Sequence, residues 1–340
     1  MDTLMSAPIL FFALGAFIAL TGSRIPFPEG FGKALAAYLL VAIGLKGGAA
    51  LSGADAASVM PLLATAGLIS LAMPLLAFAL LRSTAGLDRT NAAAIAAHYG
   101  SVSLVTFVTA TKLLESQGVP FGGHMVAALA VMEGPAIVSG LMLASAAGLA
   151  LPARSRGGIS GGTLALPLGG GNGDGGGASC REALREAAFN GSVLLLTGSL
   201  LVGLVIGKPG MASLSGLFVA PWDGALSLFL LEMGWLAAAR LREAAGLDPR
   251  LIAFGLLMPL IGAGIGLAAA AALGLGLGDA ALLVTLCGSA SYIAVPAALR
   301  HALPSADPGL SLPLSLGITF PFNILVGIPL YLALTRAALA

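Results

Sequence analysis

Two short polar stretches, Tyr99-Gly-Ser-Val-Ser103 and Cys287-Gly-Ser-Ala-Ser291, interrupt otherwise apolar segments and lie 188 residues apart. A helix crossing a membrane has no local reason to carry Gly-Ser-x-Ser at its centre. Unwinding there frees backbone groups that the helix would otherwise consume. A half-helix restarting at Ser101 or Ser289 would present free N–H groups and the positive end of its dipole. That suits a small oxyanion without any fixed positive residue. The hydroxyls of Ser101, Ser103, Ser289 and Ser291 add donors, so Gly100, Ser101, Val102, Ser103, Gly288, Ser289, Ala290 and Ser291 form the candidate anion site. The carbonyls that end the preceding half-helices, at His98 and Tyr99 and at Leu286 and Cys287, face the other way and suit sodium. A packing seam of small residues is the competing reading of each break. Two breaks in register favour the site, because paired mid-span breaks mark the binding sites of transporters.

Other polar residues fall at mid-membrane positions. Glu133, in Val131-Met-Glu-Gly-Pro135, could ligate sodium, carry a proton, or cap backbone groups freed by Pro135. Asn323, in Phe320-Pro-Phe-Asn323, offers an amide oxygen, and Thr106, Thr109 and Thr319 offer hydroxyls. Threonine bonding back onto its own helix is the structural alternative for these three. Lys46 and Glu232 could pair across the halves, or each could snorkel or meet water separately. His98 either tunes the site with pH or is a hydrogen-bonded interior histidine. A hydrolase reading would pair Ser101 or Ser103 with His98 or His124. The second break has Leu286 where the first has His98, so catalysis would not explain the duplication. A channel also uses paired half-helices.

The elements that must hold these residues are set by composition. Of 340 residues, 58% are hydrophobic and 9% charged, with net charge +1 and mean hydropathy +1.00. A soluble domain carries about 25% charged residues, so most of this surface cannot face water. Apolar runs of roughly 20 residues recur without strand-like alternation, which predicts an all-α integral membrane protein. Ten spans fit, at about 5–22, 34–52, 58–82, 90–112, 122–150, 188–207, 224–242, 250–274, 279–300 and 311–338. The first lacks a basic leader before its apolar run and is read as a span rather than a signal peptide. Cys180 and Cys287 suggest neither a disulfide framework nor a transition-metal site, and no organic cofactor is expected.

A glycine-rich segment, 152–187, separates a first five-span repeat (1–151) from a second (188–340). It lacks the GK[ST] of a phosphate-binding loop and reads as a linker. Placing it in the cytoplasm puts Arg24, Lys33, Arg82, Arg89, Arg154, Arg156, Arg181, Arg185, Arg240, Arg242, Arg250 and Arg300 inside. Lys112, Lys208 and Arg336 then lie outside, together with both termini. An odd number of spans before the linker inverts the second repeat. Ala92/Ala280, Gly100/Gly288, Ser101/Ser289, Ser103/Ser291 and Pro120/Pro308 match at the common offset, which predicts inverted repeats.

At these residues the sequence resembles the sodium-dependent bicarbonate transporter family (SbtA type). The resemblance is carried by Tyr38-Leu-Leu-Val-Ala-Ile-Gly-Leu-Lys-Gly-Gly48, Ala96-Ala-His-Tyr-Gly-Ser-Val-Ser103, Val131-Met-Glu-Gly-Pro-Ala136, Phe229-Leu-Leu-Glu-Met-Gly234 and Gly288-Ser-Ala-Ser-Tyr-Ile-Ala-Val-Pro296. It implies a bacterial inner-membrane protein that couples bicarbonate uptake to sodium by an elevator motion. It further implies a core domain (58–150 and 250–338), a gate or scaffold domain (5–52 and 188–242) and a homotrimer. Bicarbonate would sit between the breaks, with sodium at His98, Tyr99, Thr106, Glu133, Leu286, Cys287, Thr319 and Asn323. The family also has a cytoplasmic PII-like regulatory partner, and the short glycine tract here weakens that expectation. Another small carboxylate or oxyanion is the alternative substrate.

Overall fold

The computed structural model describes residues 6–23, 25–53, 56–148 and 191–339, and within these it is all-helical. The linker 152–187, with Cys180 and its four arginines, and also Arg24, lie outside the described residues. In chain order the helices are α1 (Ala7–Leu20), α2 (Phe31–Leu51), α3 (Ala56–Leu80), α4 (Arg89–Gly100), α5 (Leu104–Ser116) and α6 (His124–Gly148). After the linker come α7 (Gly191–Ser213), the single turn α8 (Ser215–Phe218), α9 (Trp222–Ala244), α10 (Pro249–Ala272), α11 (Leu277–Cys287) and α12 (Ala294–Ala302). The last, α13, spans Pro308–Leu339.

Eight segments are long and apolar enough to cross a membrane, and the α4–α5 pair counts as one of them. Of the other two predicted spans, α1 is a shorter apolar helix, and the ninth is divided into α11 and α12. The division has a local cause. Six residues, Gly288–Ile293, leave the helical path, where the first break takes only Ser101–Ser103.

Burial sorts the helices. The apolar window of α4–α5 is 100% buried, whereas that of α7 is only 17% buried and presents Leu201, Val202 and Val205 outward. In hydrocarbon, apolar side chains gain little by leaving lipid, so helix contact relies on close backbone approach. The seam between α1 and α9 shows this. A Cβ on Gly15 would lie 1.9 Å from the Leu231 carbonyl oxygen, and one on Gly234 would lie 2.0 Å from that of Phe12. Between α2 and α7, Gly48 plays the same part against Leu200. The pairs α1–α9 and α2–α7 form one set of close contacts, and α3, α4 and α6 form another, as do α10 and α11.

Helix α13 runs deep in the molecule and widens twice, over Pro313–Thr319 and Asn323–Gly327. Each wide stretch contains the residue four before a proline, Gly317 before Pro321 and Leu325 before Pro329. Proline supplies no N–H and crowds that carbonyl, so an extra residue in the turn relieves both defects. The widening turns Thr319 and Asn323 into the interior, where each is 1% exposed.

Lys46 and Glu232 do not pair. The Lys46 ammonium lies 4.1 Å from the centre of the Trp222 ring. The Glu232 carboxylate packs against Gly32 at the start of α2, where a Cβ would lie 2.3 Å from Oε2.

Candidate functional site

The two breaks meet. In the first, α4 ends at Gly100, and Ser101 turns extended (φ −83°, ψ 170°). Ser103 then caps α5 by accepting the Thr106 N–H at 3.2 Å. Serine is a favoured cap because its oxygen satisfies an amide that the helix leaves free. The Thr106 hydroxyl also donates to Ser103 Oγ, at 3.0 Å.

The second break is arranged differently. The Ser289 hydroxyl bonds back to the Leu286 carbonyl at 2.8 Å and accepts the Ser103 N–H at 2.9 Å. Ser291 donates its N–H to the His98 carbonyl at 2.8 Å. The His98 ring returns the contact, with Nδ1 2.6 Å from the Ser291 carbonyl oxygen. Helix α12 restarts only at Ala294, without a cap from Ile293 and with the Ser291 hydroxyl reaching the Val295 N–H at 3.5 Å. The restarting helices therefore begin at Leu104 and Ala294, not at Ser101 and Ser289 as the sequence suggested. Serine bonds within and between the breaks hold the intervening residues off the helical path.

Between the breaks lies a cleft of about 20 Å³. Val102 and Ser103 line it from the first break, Ser291 and Tyr292 from the second, Glu133 from α6 and Leu40 from α2. Among the described residues, its lining contains no lysine or arginine. A volume this small admits a single water-sized group, so a larger occupant must move its walls. Ser101 Oγ donates to Glu133 Oε2 at 3.3 Å. Glu133 is 5% exposed.

The candidate cation ligands form two further clusters behind the breaks. The Tyr99 hydroxyl is 2.7 Å from Thr319 Oγ1, which donates to the Gly255 carbonyl at 2.7 Å. Asn323 donates from Nδ2 to the Gly288 carbonyl at 2.9 Å, and its Oδ1 accepts from the Tyr331 hydroxyl at 2.8 Å. Asn323 thus faces the break with its amide donor, where the sequence had suggested its oxygen. The Leu286 carbonyl already accepts from Ser289, and the His98 carbonyl from Ser291. The Cys287 carbonyl lies against Gly262, in the seam between α11 and α10. Thr109 bonds back to Val105 of its own helix at 2.8 Å, the structural alternative. Among the described residues no three His, Cys, Asp or Glu side chains cluster as a metal centre.

His98 and His124 are committed elsewhere than to a serine nucleophile. His98 bonds the Ser291 backbone, Ser101 bonds Glu133, and His124 Nε2 lies 2.9 Å from Asp279 Oδ2. Tyr292, Tyr331 and Leu40 were not among the candidate site residues, although Leu40 and Tyr292 lie in stretches that carry the family resemblance. Tyr292 follows Ser291 directly, and its hydroxyl reaches Ser103 Oγ at 3.4 Å. Tyr331 and Leu40 carry no local signal, because their helices read as plain apolar segments.

A family profile described as the Na+-dependent bicarbonate transporter superfamily matches residues 7–336, nearly the whole chain. The chain belongs to this superfamily. No curated protein matches it. Membership and the apolar helices together make it a multi-pass membrane protein of a transporter family. The match covers both breaks, so the paired Gly-Ser-x-Ser elements lie within the part that the superfamily defines.

Proposed function

We propose that this superfamily member takes up bicarbonate together with sodium, and that the anion enters the cleft between the two breaks. The observation that carries this reading is the cleft itself, walled by Ser103 and Ser291 and bordered by the buried Glu133. The Leu104 and Val105 N–H groups that open α5, with the Ser103 and Ser291 hydroxyls, supply donors to a small oxyanion. A carboxylate beside that position repels an anion arriving alone. A sodium ion bound nearby offsets the repulsion, so the two ions bind better together than apart, which is what coupling requires. Sodium ligands come from Glu133, Tyr99, Thr106, Thr319 and Asn323 and from the carbonyls of His98, Leu286 and Cys287. Coordination requires rotation of the Asn323 amide and of the threonine hydroxyls out of their present hydrogen bonds.

The motion we infer is an elevator. Helices α3–α6 and α10–α13 carry the cleft, while α1, α2, α7 and α9 form the scaffold of a homotrimer. Both termini and the ends carrying Lys112, Lys208 and Arg336 would face outward, with the linker in the cytoplasm of a bacterial cell. Uptake of labelled bicarbonate into proteoliposomes, with an inward sodium gradient or with choline in its place, tests the reading. Sodium-dependent uptake that is lost in Ser103→Ala/Ser291→Ala supports it. Uptake of a different small carboxylate, and none of bicarbonate, would replace the substrate and keep the site.

A further inference from the structure

His98 holds one place in the structure that its counterpart in the second half does not share. The second break leaves six residues outside the helical path, twice the first, so more of its backbone polar groups need partners from elsewhere. Ser291 lies within this stretch, and both its backbone groups are satisfied by one residue. Its N–H donates to the His98 carbonyl at 2.8 Å, and its carbonyl faces His98 Nδ1 at 2.6 Å. A carbonyl oxygen only accepts, so Nδ1 carries the proton and the ring orientation is fixed. His98 is 1% exposed, so solvent does not compete for either bond. The residue 188 positions later is Leu286, which has no polar side chain to return the contact.

The arrangement is a two-point bracket from the last turn of α4 onto the middle of the second break. Its side-chain half fixes the direction of the Ser291 carbonyl, and hence the course of Ser291 and Tyr292 along the cleft wall. We propose that His98 is a positioning residue that sets the anion-facing geometry of the second break, and that its imidazole ligates neither bicarbonate nor sodium. This rests on the cleft being the anion site.

Three variants separate the roles. His98→Asn places an amide N–H close to the position of Nδ1, His98→Gln carries its amide one carbon further, and His98→Leu keeps bulk without a donor. The bracket predicts a bicarbonate KM in His98→Leu and His98→Gln raised roughly tenfold, the loss expected of one buried hydrogen bond. The maximal rate and the sodium half-saturation should hold near wild type, and His98→Asn should restore the KM. A sodium half-saturation that shifts instead, with the bicarbonate KM unchanged, would make the imidazole a cation ligand and overturn the proposal. Equal defects in His98→Asn and His98→Leu would overturn it as well.

A second readout does not depend on the substrate. Amide exchange of the 288–293 stretch in detergent-solubilised protein should accelerate in His98→Leu and return in His98→Asn. Unchanged exchange in His98→Leu would remove the bracket even if transport were confirmed. Altered exchange in a protein that does not transport bicarbonate would keep the bracket and discard only the assigned substrate.

Discussion

The two breaks carry the same Gly-Ser-x-Ser sequence and solve the same problem differently. The first is short, and its last serine, Ser103, closes it by capping α5. The second is six residues long, its helix start is met only by a 3.5 Å contact from Ser291, and it is tied to the first through Ser289 and to α4 through the His98 ring. Support therefore runs both ways, with Ser289 accepting the Ser103 N–H and His98 holding both backbone groups of Ser291. The difference teaches that repeated sequence can specify a repeated location without a repeated local geometry. The first break is closed by its own serine at the start of α5, and the second is held chiefly by α4.

The largest test of that asymmetry concerns the glycines. A Cβ on Gly100 would sit 2.3 Å from Pro74 Cγ and 3.0 Å from the Ala136 Cβ, and a proline ring has little room to give. A Cβ on Gly288 would meet the Tyr331 ring at 2.9 Å and the Pro259 carbonyl oxygen at 3.0 Å. Gly100→Ala should destabilise the protein by about 2–3 kcal/mol and Gly288→Ala by about 1 kcal/mol, in the range of overpacked cores. Thermal unfolding in detergent would show this order, and equal losses would break the comparison.

The carboxylate next to the first break is the next test. Glu133→Gln removes the charge and keeps the shape. On the coupling argument, sodium stimulation of uptake should fall at least tenfold, while binding of the anion without sodium should improve. Uptake in paired sodium and choline gradients measures the first, and anion binding to purified protein the second. Unchanged sodium stimulation would detach Glu133 from coupling.

Smaller effects follow for the serines. Ser103→Ala removes a helix cap and should cost about 1 kcal/mol of stability. Ser291→Ala should cost less in stability, because its hydroxyl contacts the Val295 N–H only at 3.5 Å. Denaturation of the two variants under one detergent condition would rank them, and a larger loss for Ser291→Ala would show that the second break, not the first, depends more on its own serine. The smallest change belongs outside both breaks. Lys112 and Asp223 join α5 to α9 at 2.8 Å, with side chains 32% and 60% exposed. Asp223→Asn should shift stability by under about 1 kcal/mol, as exposed ion pairs do. It serves as a baseline for the other losses.

Much of this was legible residue by residue. The apolar runs marked where helices lie, because lipid leaves the backbone no partner but itself. Gly-Ser-x-Ser marked the breaks, and the mid-span positions of Glu133 and Asn323 marked polar interior. The start of the restarting helices was not legible. Ser103 and Ser291 are equivalent in sequence, yet Ser103 caps its helix at 3.2 Å while Ser291 reaches the Val295 N–H only at 3.5 Å, since the cap depends on the path of the backbone after it. The donor that Asn323 presents was also out of reach, being set by the Gly288 carbonyl and the Tyr331 hydroxyl on different elements.

The sequence by itself determined that this chain is helical and membrane-embedded, and where its helices must open, because composition and local residue chemistry govern both. Only the tertiary structure decided how the two openings face each other, that His98 serves Ser291, and that Tyr292 and Leu40 share the cleft. Those outcomes depend on contacts between residues almost two hundred positions apart, and no local pattern encodes a distance in space.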